Sequence, residues 1–129
     1  MIKGRKSTSI AKENSTGTGF LKPDIIQLVF NNNVRSVSSA LDEFPDLINE
    51  IHEETGNTSL QIAVLLGNVN MVQFLISQPN LFPFHKNKRG KDALDIALTN
   101  STNQIQSILF KYWSEKLAPN NKNSEIEKI

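Results

Sequence analysis

Between about residues 22 and 118 the sequence repeats itself every 34 positions, and this period restricts the fold more than any other feature. Glu54-Thr55-Gly56-Asn57-Thr58-Ser59-Leu60-Gln61-Ile62-Ala63 aligns with Lys88-Arg89-Gly90-Lys91-Asp92-Ala93-Leu94-Asp95-Ile96-Ala97, with Gly, Leu, Ile and Ala coinciding. The frame persists downstream, where Met71, Phe74, Leu75 and Ile76 fall on Ile105, Ile108, Leu109 and Phe110. One period upstream, Leu75 falls on Leu41, Met71 on Val37, Leu60 on Ile26, and Pro79-Asn80-Leu81 on Pro45-Asp46-Leu47. The Pro-x-Leu match is independent of the helical pattern. Three units follow, at about 22 to 54, 55 to 88 and 89 to 118. A period of this length belongs to stacked supersecondary units, none of which buries its apolar face alone.

The side chains give each unit a physical logic. Asp24, Thr58 and Asp92 stand where an oxygen can cap the exposed amides of a helix start. Leu60 and Ala63, like Leu94 and Ala97, are three apart and share a helical face, and the alanines let a second helix approach. Gly67-Asn68 suits the turn between two helices, because both residues tolerate positive φ. A second helix then carries Val69, Met71, Val72, Leu75 and Ile76 until Pro79 prevents its continuation. Helices this short are marginal in isolation, so stacking of the pairs must supply their stability.

These residues resemble the ankyrin repeat. The family pattern Gly-x-Thr-Pro-Leu-His-x-Ala, followed by Gly-His and a Val-Val-x-x-Leu-Leu run, is matched by Gly56 to Ala63, Gly67-Asn68 and Met71-Val72-Gln73-Phe74-Leu75-Ile76. The departures are Ser59 for Pro and Gln61 for His. They remove a rigid helix start and an inter-repeat hydrogen-bonding imidazole, which predicts a less stable unit. The period is one residue longer than the usual 33 or so, with the extra residue expected in the loop. Unit three keeps Gly90, Leu94, Ile96 and Ala97, has Ser101 for the inter-helix Gly, and extends its second helix through Leu117, as a C-terminal cap should. Phe110, Tyr112 and Trp113 are expected to seal that end. Unit one has Lys22 for the leading Gly and reads as an N-terminal cap, with Pro23 in the first helical turn. The expected architecture is an all-α ankyrin-repeat solenoid of helix-turn-helix units with long loops. Residues 1–21 and 119–129 are polar and aperiodic and are expected to be flexible tails, lacking the apolar surface needed to offset their ordering entropy.

The resemblance implies a non-catalytic module that binds another protein through its loop fingers and the exposed side of each first helix. Carried onto this sequence, that surface comprises Glu54, Thr55, Asn57, Leu65 and Leu66 from the middle unit, and Lys88, Arg89, Lys91, Thr99 and Asn100 from the third. Leu65 and Leu66 together would form an apolar patch suited to a binding hot spot. Glu50, Glu53 and Glu54 precede unit two, while Lys86, Lys88, Arg89 and Lys91 surround the start of unit three, so the surface should run from acidic to basic. The same surface would fit a regulatory or targeting fragment of a multidomain protein, such as a transcription regulator or a lipid-transfer protein, or a pathogen effector that mimics a host scaffold.

Composition narrows the alternatives. The 129 residues carry 14 Lys and Arg against 13 Asp and Glu, a net charge of +1 that does not favour non-specific nucleic-acid binding. The absence of cysteine removes a disulfide framework, a thiolate nucleophile and a thiolate zinc site. No run of about 18 apolar residues could span a bilayer. The basic start, Met1 to Lys6, continues into polar residues rather than an apolar core of a secretory signal. An intracellular, cytoplasmic or nuclear address is therefore expected, with a chain that is monomeric by itself.

No catalytic constellation is visible, and no cofactor or metal is expected. His52 and His85 sit at neighbouring repeat positions, and Glu50, Glu53 and Glu54 are the only further ligand candidates. Polar loop residues that brace a hairpin explain both histidines more simply. Gly4-Arg5-Lys6-Ser7-Thr8 lacks the preceding strand and the spacing of a phosphate-binding loop, and Gly17-Thr18-Gly19 is an equally isolated glycine turn. Arg5 to Thr8 instead suits an exposed phosphoacceptor or targeting signal. The sequons at Asn14, Asn57 and Asn100 are silent without a secretory route, and the Asn31-Asn32-Asn33 run makes chance matches common.

Overall fold

The computed structural model describes residues 22–117. The two tail expectations, the basic phosphoacceptor segment Arg5 to Thr8, the Gly17-Thr18-Gly19 turn and the sequon at Asn14 lie outside the described residues. Among the described residues, six helices occur in three consecutive pairs: α1 (Ile25–Phe30) with α2 (Val34–Glu43), α3 (Ser59–Leu66) with α4 (Val69–Ile76), and α5 (Ala93–Asn100) with α6 (Asn103–Leu117). A 3-10 segment, Pro45–Asn49, follows α2. Among the described residues, β-pairing is limited to one isolated antiparallel bridge between Ile51 and Thr58. The first helices form one row, α1-α3-α5, and the second helices form a parallel row, α2-α4-α6.

Each first helix starts by the same device at the same repeat position. The side chain of Asp24 accepts from the Gln27 amide at 3.2 Å, Thr58 from Gln61 at 3.2 Å, and Asp92 from Asp95 at 2.9 Å. In α3 and α5 the bond is reciprocated, since the Thr58 amide donates to Gln61 Oε1 and the Asp92 amide donates to Asp95 Oδ2. These capping boxes satisfy two helix-start donors at once. Pro23 precedes the Asp24 cap rather than occupying the first turn as expected, so its role is to direct the chain into the cap.

The inter-helix turns differ between units. Gly67 closes α3 at φ 73 in the left-handed region, while the adjoining Asn68 has φ −89. Only the glycine therefore uses a positive φ there. Unit one makes its turn with the asparagine run: Asn32 takes φ 55 and Asn33 caps α2 by accepting from the Ser36 amide at 3.1 Å. The run is thus turn chemistry and not merely compositional excess. In unit three the extended Ser101 replaces glycine, and Gln106 reaches back from α6 to donate to the carbonyls of Ala97 and Ser101 at 3.0 and 3.3 Å.

The apolar stripes of all three pairs meet in one continuous core. Val29, Val37, Leu60, Ala63, Val64, Met71, Val72, Leu75, Ala97, Ile105 and Leu109 are fully enclosed. Leu47 and Leu81, the leucines of the repeated Pro-x-Leu, are buried as well, so that motif fastens each long loop under the helix pair. Asn49 ties consecutive loops together, donating to the Asn80 carbonyl at 2.9 Å and accepting from the Phe82 amide at 2.8 Å.

Two expectations need correction. Gln61 does not leave the units uncoupled: its Nε2 donates to the main-chain carbonyls of His85 at 2.6 Å and Lys91 at 3.2 Å, both in the next unit's loop. A carboxamide has enough donors and acceptors to hold the cap and bridge the units simultaneously. Ser59 does carry a local cost, since its buried Oγ has no hydrogen-bond partner among the described residues. At the C-terminal end, Tyr112 and Trp113 are buried, but Phe110 is 49 % exposed and does not seal the stack. Trp113 is held from the loop before unit three, where Phe84 meets it edge-on at 5.5 Å and Phe82, itself exposed, meets Phe84 at 5.9 Å. Leu98, like Phe110, is 49 % exposed, whereas its counterpart Val64 is completely buried, as befits a unit with no described unit beyond it.

Candidate partner-binding groove

The loops that precede α3 and α5, the second and third fingers, turn sharply and pack against each other. In the second finger the Gly56 amide donates to the His52 carbonyl and the His52 amide to the Asn57 carbonyl, at 2.7 and 2.8 Å. The His52 ring lies 3.1 Å from the Thr55 hydroxyl. Asn87 organises the third finger. Its side-chain oxygen accepts from the amides of Arg89 and Lys91 at 2.9 and 3.0 Å, and its own amide donates to the Lys91 carbonyl at 2.9 Å.

Three contacts join the fingers. The Lys88 amide donates to the Thr55 carbonyl at 3.0 Å, Asn87 Nδ2 donates to Asn57 Oδ1 at 2.7 Å, and His85 Nε2 lies 2.9 Å from the Gly56 carbonyl. Gly56 is required for this approach: at φ 75 it sits where a Cβ would come within 3.0 Å of the Lys88 amide nitrogen. Both histidines therefore serve finger architecture. Among the described residues, no group of three His, Asp or Glu side chains is placed to hold a metal ion.

Between these fingers and the first helices behind them lies a groove of about 530 Å³. Glu54, Thr55 and Asn57 line it from the second finger, Lys88, Arg89 and Lys91 from the third, Leu65 from α3, and Thr99 and Asn100 from the end of α5. Asn87 and Ile96 line it too, although neither was among the expected contact residues. Leu66 does not. It and Leu65 are both 44 % exposed, but adjacent residues on a helix diverge by about 100°, and only Leu65 faces this groove. Asn57 is buried, with its side chain engaged by Asn87, so it shapes the wall more than it offers a free contact.

Charge is distributed unevenly around the groove. Lys88, Arg89 and Lys91 are exposed, and among the described residues none of them has a carboxylate within ion-pair distance. Lys86 differs, with its Nζ 3.9 Å from Asp95 Oδ2. Further towards unit one, a second groove of about 380 Å³ is bordered by Asp24, Glu50, Glu53 and Glu54, with Phe30 and Ile51 exposed beside them. The Phe30 and His52 rings meet edge-on there at 6.2 Å.

The architecture defines a class: an all-α solenoid of stacked helix pairs whose preceding loops project as fingers over the first-helix row. A family model for ankyrin repeats matches residues 24–123 in three copies, and the chain belongs to that family. Ankyrin repeats are protein-protein interaction modules and are typically non-catalytic. No curated protein matches the chain. No helix among the described residues is long and apolar enough to cross a membrane.

Proposed function

We propose that this chain is a non-catalytic adaptor that holds a partner protein in the groove between its second and third fingers. The observation that carries this reading is convergence: side chains from four separate segments, two fingers and two helices, border one groove with a charged lip and an aliphatic floor. A few anchored apolar contacts ringed by polar ones is the usual energetic plan of a protein interface. The fingers are braced by hydrogen bonds before any partner arrives, which lowers the ordering cost of association. The reading treats the chain as monomeric and intracellular, the latter supported by the absence of cysteine. It applies equally to a free-standing adaptor and to a regulatory or targeting unit of a longer protein.

The neighbouring leucines supply a controlled test. Proteins captured from lysate by the wild-type chain are compared with those captured by Leu65→Asp and by Leu66→Asp. The reading expects Leu65→Asp to lose the specific partner and Leu66→Asp to retain it, with both variants keeping helical circular dichroism. Equal retention by the two folded variants would remove the groove as the binding site.

A further inference from the structure

We infer that the occupant of the groove is an extended acidic segment of the partner, carrying an aliphatic side chain flanked by Asp or Glu. This deepens the adaptor reading and rests on it. Three features of the groove specify the chemistry.

The first is a cationic lip that is already in place. Lys88, Arg89 and Lys91 lie on a turn whose amides at 89 and 91 are fixed by Asn87 Oδ1, and that turn is bonded to the second finger at Thr55 and Asn57. Their charges have no carboxylate within ion-pair distance among the described residues. Carrying three like charges on one braced turn is unfavourable by itself, and an anionic segment relieves that repulsion.

The second feature is the floor. Leu65, 44 % exposed, presents aliphatic surface beneath the charged lip, with the buried Ile96 behind it, so a ligand that offered charge alone would leave this surface wet. An aliphatic side chain seated there gains burial energy and fixes the register of the flanking acids. A volume of about 530 Å³ is that of a site for a drug-sized ligand, which accommodates a few extended residues rather than a whole helix.

The third feature separates an acidic protein segment from a nucleic acid, the other polyanion. Single-stranded nucleic acids are held by aromatic platforms on which bases stack, and among the described residues no aromatic side chain lines this groove. Glu54 stands on the opposite lip, and the acidic groove of Asp24, Glu50 and Glu53 lies beyond it, so a long phosphate backbone would meet repulsion on leaving the basic finger. A peptide can carry its negative charge only where the lysines and arginine stand.

The experiment is selection of a displayed random-peptide library on the folded chain, followed by fluorescence anisotropy of the enriched peptides. The expected sequences have Leu, Ile or Met flanked by Asp or Glu. Their affinity should fall with added salt, and should fall at least about tenfold on Arg89→Glu plus Lys91→Glu. Neutral or basic consensus sequences, no enrichment, or binding indifferent to the charge reversal would each overturn the inference. So would a single-stranded oligonucleotide that binds as tightly as the best peptide. Non-acidic peptides that bind the wild type and are lost with Leu65→Asp would reject the acidic segment while leaving the adaptor reading intact. Failure of both this selection and the leucine comparison would reject both.

Discussion

Gln61 Nε2 donates to the main-chain carbonyl oxygen of His85 at 2.6 Å, and this bond links the middle unit to the loop of the next one. The same nitrogen reaches the Lys91 carbonyl at 3.2 Å, while Oε1 holds the Thr58 amide. One buried carboxamide thus caps α3 and positions the basic finger. Replacement by leucine, of similar size, strands buried partners, and the expected loss is about 2 to 3 kcal/mol of unfolding free energy in urea. The equivalent change at exposed Gln27, one period earlier, should stay within about 0.5 kcal/mol. Equal effects at the two positions would show that Gln61 does not couple the units.

Ser59 offers a stabilising change. Its buried hydroxyl has no partner among the described residues, and it is the first residue of α3, where a proline ring fits and the amide has no acceptor within the helix. Thr58 has φ −83 and ψ 171, a conformation that a following proline favours. Ser59→Pro should raise stability by about 1 kcal/mol, seen as a higher Tm. A fall in Tm would indicate a clash at the helix start.

Val64 and Leu98 occupy one repeat position in different surroundings, buried between units and exposed on the last one. Val64→Ala should cost about 1.5 to 2.5 kcal/mol, since it removes fully enclosed methyl groups and opens a cavity. Leu98→Ala, which deletes more atoms, should cost no more than about 0.5 kcal/mol. Denaturant midpoints measured side by side check the order; a reversed order would mean that something covers Leu98.

Tyr112 makes alkaline stability informative. Burial disfavours its phenolate and raises its pKa above the ordinary value of 10.0. Below that value the phenol is neutral in both folded and unfolded chains. As pH climbs past it, the unfolded chain ionises first, so stability falls until the folded pKa is passed. Tyr112→Phe should flatten that decline. Because Tyr112 is the only tyrosine, ultraviolet absorbance of phenolate follows it directly, and a titration midpoint at or below 10.0 would contradict the burial.

What the sequence made legible was whatever recurs in one frame. Asp24, Thr58 and Asp92 announce their caps because the same amide geometry recurs at each helix start, and Leu47 and Leu81 announce their burial through a shared proline. Residues that answer a local need escape this logic. Asn87 has Glu53 as its counterpart, so no repeat comparison could expose the turn it builds. An Asn three residues before Gly90 was the available signal. Gln61 stands where the family pattern has histidine, and only the positions of the His85 and Lys91 carbonyls reveal that an amide does the bridging. Leu65 and Leu66 looked alike because adjacency in sequence hides a turn of about 100° between them. Exposure of Phe110 depends on what stacks beyond α6, which no pattern within one unit encodes.

Photo-crosslinking shows directly whether the partner lies in the groove between the fingers. A photoreactive amino acid is placed at Asn100, on the groove wall, and separately at Gln73, which is exposed on α4 and lies outside the groove. A partner adduct is expected from position 100 and none from position 73. Adducts from position 73 alone, or equally from both, would contradict that placement.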